Sequence, residues 1–179
     1  YAAEKATGSM KVTYQGQEID FTPPWNRLEM RQGLLDECGV DINEYRDADS
    51  LHAALNEKNI EHPADIQRGK LIDWMVDEFL ESKMIQPTFL YNYPREISPL
   101  AKSIPGDEQT VERFEGFVAG MELCNAFTEL NDPIDQEKRF LDMGRDYADD
   151  DEERHPMDED YLRAMRYGMP PNGGFGMGV

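Results

Sequence analysis

Hydrophobic and polar positions change period several times along this chain, and each change marks an element. Segment 68–83 is the clearest: Leu71, Ile72, Met75, Val76, Phe79 and Leu80 recur at helical spacing and form one broad apolar face. Leu28, Met30 and Leu34-Leu35 begin an earlier helix that Gly39 can end in a left-handed conformation. Between these two, Asp49 or Ser50 can cap a helix striped by Leu51, Ala54 and Leu55. All three stripes read as core. Residues 1–7 suit the tail of a helix that Gly8 terminates, and a tail without a beginning suggests a chain cut from something longer. Lys11-Val-Thr-Tyr and Gln17-Glu-Ile-Asp-Phe flank Gly16 as a hairpin, which Pro23-Pro24 interrupts because prolines remove ladder donors.

From Thr88 the pattern turns β-like. Thr88-Phe-Leu-Tyr-Asn-Tyr reads as a strand stopped by Pro94, and 113–118 and 121–129 as two more around Ala119-Gly120. Asp132-Pro133 is a strong helix start, an acid at the cap and proline at the first helical position. That helix runs toward an acidic stretch. Asp158 can cap a last helix, which Gly168 ends and Pro170-Pro171 closes. Strands flanking a helical insertion, with no repeat and no linker, predict a single α+β unit.

Composition narrows this further. Across 179 residues, 39% hydrophobic and 31% charged is a packed domain or a large piece of one. No apolar run approaches the ~20 residues of a membrane span, and the N-terminus carries no signal pattern. Cys38 and Cys124 lie far apart without metal-ligand spacing, so both are expected to be reduced, buried thiols in a cytoplasmic setting. The net charge of −19, from 37 acidic and 18 basic residues, repels a phosphate backbone; this piece is not expected to bind nucleic acid by itself. The runs Asp149-Asp-Asp-Glu-Glu and Asp158-Glu-Asp read as solvated surface. His52, His62 and His155 are scattered and lack zinc spacing.

Chemistry concentrates in residues 112–129. A turn at Ala119-Gly120 sets Phe117 opposite Glu122 and Glu115 opposite Cys124, so Glu115 and Glu122 become diagonal neighbours on one face, with Cα atoms roughly 7–8 Å apart. Two carboxylates so placed can hold a hard divalent cation, and Mg2+ typically arrives with nucleotide phosphates. The alternative is a hairpin whose acids face solvent or pair with Arg113. Asn125, Phe127 and Glu129 alternate on a face of the other parity: an amide, an aromatic wall and a carboxylate, suited to a small cation with an apolar stem. A bulge at Leu123 or Cys124 would bring both sets over one cavity, and one is expected there. Gly174-Phe-Gly-Met-Gly is a lone glycine alternation without a dinucleotide fingerprint.

These segments resemble the class II lysyl-tRNA synthetases, in order and over nearly the whole chain. The resemblance lies in Asp20-Phe-Thr-Pro-Pro-Trp; in Pro87-Thr-Phe-Leu with Tyr93-Pro-Arg-Glu-Ile-Ser-Pro-Leu-Ala-Lys; and in Glu112-Arg-Phe-Glu with Gly120-Met-Glu-Leu-Cys-Asn-Ala-Phe-Thr-Glu-Leu-Asn-Asp-Pro. It continues through Asp158-Glu-Asp-Tyr, Tyr167-Gly-Met-Pro-Pro and Gly174-Phe-Gly-Met-Gly. It implies part of an antiparallel catalytic sheet, with residues of about 28–86 as a helical insertion and about 87–179 leading toward the third motif of the class. It also implies that Glu115 and Glu122 hold Mg2+ with ATP, that Asn125, Phe127 and Glu129 line a lysine pocket, and that Gly174, Gly176 and Gly178 approach the ATP site. The complete enzyme is then expected to be a cytoplasmic homodimer that activates lysine and transfers it to tRNA(Lys). Without the family's preceding motifs and the arginine that follows Gly178-Val179, this chain alone is expected to be inactive, and no complete catalytic set is assigned within it. Met121, Cys124 and Ala126 depart from the arginine and glycines of many bacterial relatives. A related enzyme that lysylates an elongation factor, or a non-catalytic folding or partner-binding module, are the competing readings.

Overall fold

A computed structural model describes residues 1–146 and 157–178; the acidic run 149–153 and His155 lie outside the described residues. The chain begins with α1 (Ala2–Thr7) and the hairpin β1 (Lys11–Tyr14) and β2 (Gln17–Asp20), followed by β3 (Asn26–Glu29) and the helices α2 (Met30–Cys38), α3 (Ala48–Glu57) and α4 (Arg68–Phe79). Then come β4 (Thr88–Tyr91), the small hairpin β5 (Ser103–Ile104) and β6 (Asp107–Val111), β7 (Arg113–Val118) and β8 (Met121–Thr128). Helices α5 (Pro133–Asp146) and α6 (Glu159–Tyr167) and strand β9 (Gly173–Met177) complete the order. The five-stranded sheet runs β3-β4-β7-β8-β9 and is antiparallel except where β3 lies parallel to β4. The α+β expectation holds. Among the described residues no helix is long and apolar enough to cross a membrane.

A parallel pair needs a long crossover, and α2 to α4 supply it between β3 and β4. Their stripes do the packing. Leu71, Ile72, Met75 and Leu80 meet Leu34, Leu51 and Leu55 from the helices and Leu90 and Phe117 from the sheet, all almost fully buried. Each such side chain contributes about 1.5–3 kcal/mol when taken out of water. The Arg68 guanidinium staples the loop between α2 and α3, donating to Tyr45 O and Ile42 O at 2.6 Å each.

Three local expectations need correction. The cap of α3 is Asp47, two residues before the acid at 49; it accepts from Ser50 N at 2.8 Å in a reciprocal box with Ser50. Helix α4 stops at Phe79 and yields to a single 3-10 turn at Glu81–Lys83. Strands β3, β5, β6 and β9 were not foreseen: the first is short and polar, and the last is glycine at alternate positions, so neither shows the apolar alternation that announces a strand.

Helix α5 fixes the far end of the sheet. Buried Arg139 donates to Ala101 O at 2.7 Å and to Ser103 Oγ at 3.2 Å, and buried Gln136 donates to Pro99 O at 3.2 Å. The Ser98–Lys102 segment is thereby held beside β8, with Lys102 N donating to Thr128 O and Leu130 N to Leu100 O, both at 2.8 Å.

Candidate functional site

The β7–β8 hairpin decides which side chains share a face. Ala119 and Gly120 both take positive φ, 55° and 72°, the tight turn that hairpin twist favours. Val118 therefore pairs with Met121 and Phe117 with Glu122, as expected. The register then shifts: Gly116 pairs with Cys124 and Glu115 with Asn125, leaving Leu123 as the extra residue. The bulge stands where it was expected. It corrects the regular-ladder pairing of Glu115 with Cys124, and it turns the alternation of β8 over by one position. Arg113, Glu115, Glu122, Asn125 and Phe127 consequently lie on one face.

On the same face β9 contributes bare backbone. Gly174 pairs with Phe127 and Gly176 with Asn125, while Phe175 and Met177 point to the reverse side and are exposed. The glycine alternation is thus a strand with no side chains toward the site. Met121, Cys124 and Ala126 pair with Val118, Gly116 and Phe114 on the reverse face, away from Glu122, Asn125 and Phe127. A cavity of about 390 Å³ opens beside Asn125, Phe127, Arg113 and the 97–101 segment, a size that suits a small molecule.

At one end Glu115 is buried, 8% exposed, and committed. One oxygen accepts from Arg113 Nη2 at 2.5 Å and the other from the Tyr93 hydroxyl at 2.6 Å. Burial, and then the Glu115 charge, push the Tyr93 phenol far above its ordinary range. Arg113 lies over the Tyr93 ring at 4.5 Å and donates also to Ile97 O and Ser98 Oγ at 2.9 Å and to Asn125 Oδ1 at 3.3 Å. Arginine only donates, so the Asn125 oxygen must face it and the NH2 is turned elsewhere. Glu122 is exposed, and burial followed by the Glu115 charge raises its pKa. Asp77 and Glu81 stand beside this pair. Glu81 is pushed up to about 7, by burial first and then by Asp77, Glu115 and Glu122.

At the other end Glu129 follows β8 directly. Its N–H donates to Asn172 O at 3.0 Å and it bridges to Ala101. Burial alone raises its carboxyl pKa, and among the described residues no hydrogen bond or ion pair reaches that carboxylate. Tyr161 of α6 feels the Glu129 charge, which after burial helps to hold the phenol proton.

Sequence reasoning missed Asp77, Glu81 and Tyr93. The only signal for the first two was the i, i+4 spacing at the end of α4, and Tyr93 read as part of a strand. His52 and His62 are far apart in sequence yet stack at 4.9 Å within the helical region, bound to Ile66 O and Ile60 O. Cys124 is buried but Cys38 only half so, and both are free thiols. Among the described residues no three His, Cys, Asp or Glu converge as a metal-binding group. Two carboxylates remain an oxygen-only donor pair of the kind a hard cation uses alongside phosphate oxygens.

The family model described as tRNA synthetases class II (D, K and N) matches residues 2–179. The chain is 47% identical over 182 residues to the lysine–tRNA ligase of Clostridium perfringens strain 13, covering 100% of this chain and 36% of that protein. With the lysine–tRNA ligase of Chloroflexus aurantiacus the identity is 48% over 172 residues, 96% of this chain and 35% of the relative. With that of Thermoanaerobacter sp. strain X514 it is 47% over 180 residues, 100% and 36%. The chain spans about a third of the length of these relatives.

Proposed function

The chain belongs to the class II tRNA synthetases of the aspartate, lysine and asparagine group, and from that premise we propose that it is the part of a lysine–tRNA ligase that reads the lysine side chain and helps to hold ATP. The observation that carries this reading is the Glu129 carboxylate, partly desolvated and without a partner among the described residues. A desolvated anion with no cation is costly unless a ligand supplies one. A primary ammonium on an apolar stem does so, with Phe127 as wall and Asn125 turning its NH2 outward as a donor. A neutral side chain would leave the carboxylate unpaired, which is how such a pocket rejects analogues.

ATP falls to the opposite end. Glu122, exposed beside Glu115, would hold Mg2+ together with Glu115, whose oxygens keep further lone pairs after accepting from Arg113 and Tyr93. When bound, the ion neutralises phosphate charge. Of the three glycines expected to approach ATP, Gly176 and Gly178 leave the β9 backbone open to a nucleotide, while Gly174 faces the Glu129 carboxylate. In this arrangement the lysine carboxylate attacks the ATP α-phosphorus and pyrophosphate leaves. The lysyl group of the adenylate then passes to tRNA(Lys), in a cytoplasmic homodimer. The chain's own residues act by positioning and charge neutralisation.

The test is Glu129→Gln in the complete enzyme, read by lysine-dependent pyrophosphate exchange. Breaking a buried pair from one side costs about 3–5 kcal/mol, so kcat/KM for lysine should fall by two orders of magnitude or more. A loss below about threefold, under 1 kcal/mol, would show that Glu129 does not read the ammonium.

A further inference from the structure

We propose that Gly174 is a positioning residue for lysine recognition: the missing side chain on β9 is the seat of the Glu129 carboxylate. The inference rests on the lysine reading of Glu129 and says what holds that carboxylate in place. Gly174 pairs with Phe127 on the site face, and a Cβ there would lie 2.8 Å from Glu129 Oε1 and 3.9 Å from its Cδ. A carbon that close to an oxygen is inside normal contact, so one methyl group evicts the carboxylate. The neighbouring glycines differ. A Cβ at Gly173 meets only the Phe127 backbone oxygen, one at Gly176 makes an ordinary 3.9 Å contact with Asn125 O, and one at Gly178 meets nothing within 4 Å.

The backbone cannot absorb the displacement. Glu129 is tied by its N–H to Asn172 O, by its bridge to Ala101, and by the Leu130 bond to Leu100 O. The carboxylate must therefore rotate away about its own side-chain torsions, which is cheap for the fold because the contact is with a flexible end. Backbone conformation is no obstacle either, since Gly174 is not among the positive-φ glycines. Removing the seat should spare stability and move the charge that the substrate ammonium meets.

In the complete enzyme, Gly174→Ala is assayed by pyrophosphate exchange with lysine and ATP titrated separately. The expected result is a KM for lysine raised about tenfold, with the KM for ATP within about twofold of wild type and an unchanged melting temperature. Glu129→Asp withdraws the carboxylate by one methylene, so Gly174→Ala should cost less in that background than in wild type. An unchanged KM for lysine overturns the proposal. So does an equal or larger rise for ATP, which returns Gly174 to the nucleotide side, and so does loss of folding, which puts the contact on something rigid. Glu129→Gln run in parallel separates the two readings. If that variant also leaves lysine activation intact, the lysine pocket itself is wrong; if it is crippled while Gly174→Ala is normal, only the seat falls.

Discussion

Two carboxylates on one side of this sheet are kept in opposite ways. Glu115 is buried, with Arg113 and Tyr93 each giving one of its oxygens a short hydrogen bond. Glu129, a few residues along the neighbouring strand, is partly desolvated with its backbone clamped and its charge unmatched among the described residues. A carboxylate whose cation is supplied by the fold belongs to the frame of the site, since removing either partner exposes the cost of the other. A carboxylate left without one bears the cost of partial desolvation uncompensated, and in the proposed reading a ligand cation completes it. The difference divides the face into a braced end and an open end.

Arg113→Met should break the braced end most severely. It leaves Glu115 buried without a cation and releases Asn125 and Ser98, so unfolding free energy should drop by about 3–5 kcal/mol in urea denaturation. Glu129→Gln, at the open end, should change the same measurement by less than about 0.5 kcal/mol. Equal effects of the two variants would erase the distinction. Tyr93→Phe is the next step down. Deleting one charge-assisted hydrogen bond to Glu115 should cost about 1.5–3 kcal/mol, and a melting temperature equal to wild type would mean the phenol is not bracing the carboxylate.

The smallest effect concerns Glu81, which sits beside the braced end with its pKa near 7 against an ordinary value of 4.5. An acid whose folded pKa is raised holds its proton more tightly folded than unfolded. Its contribution is therefore full below pH 4.5 and is lost as pH rises through about 7. Because this side chain is only partly buried, solvent screening should hold the change under about 1 kcal/mol. Stability profiles of wild type and Glu81→Gln between pH 4.5 and 7 should diverge by that slope, and parallel profiles would remove Glu81 from the electrostatics of the site.

Much of this was legible in advance because it depends on local spacing. The α4 stripe, the turn at Ala119-Gly120, the caps at Asp132 and Asp158 and the parity of Glu122 against Asn125 can all be read along the chain. The parity conflict even called for a bulge, and Leu123 supplies it. Where local signals are weak the reading failed. Asn26–Glu29 has no apolar alternation and becomes β3 only because β4 lies alongside it, with Leu28 paired to Leu90. The glycine strand β9 shows no strand propensity at all and is held by its ladder to β8.

By itself, then, the sequence determined which carboxylates, amide and aromatic could share a face, since side-chain alternation and turn chemistry act over a few residues. Only the tertiary structure decided what each of those groups meets. Tyr93 reaches Glu115 from just beyond β4, Asp77 and Glu81 approach from the end of α4 and the turn that follows it, and Gly174 opens its space beside Glu129 from a strand more than forty residues later. Those encounters depend on how helices and strands pack across the sheet, and packing, unlike periodicity, leaves no regular mark along the chain.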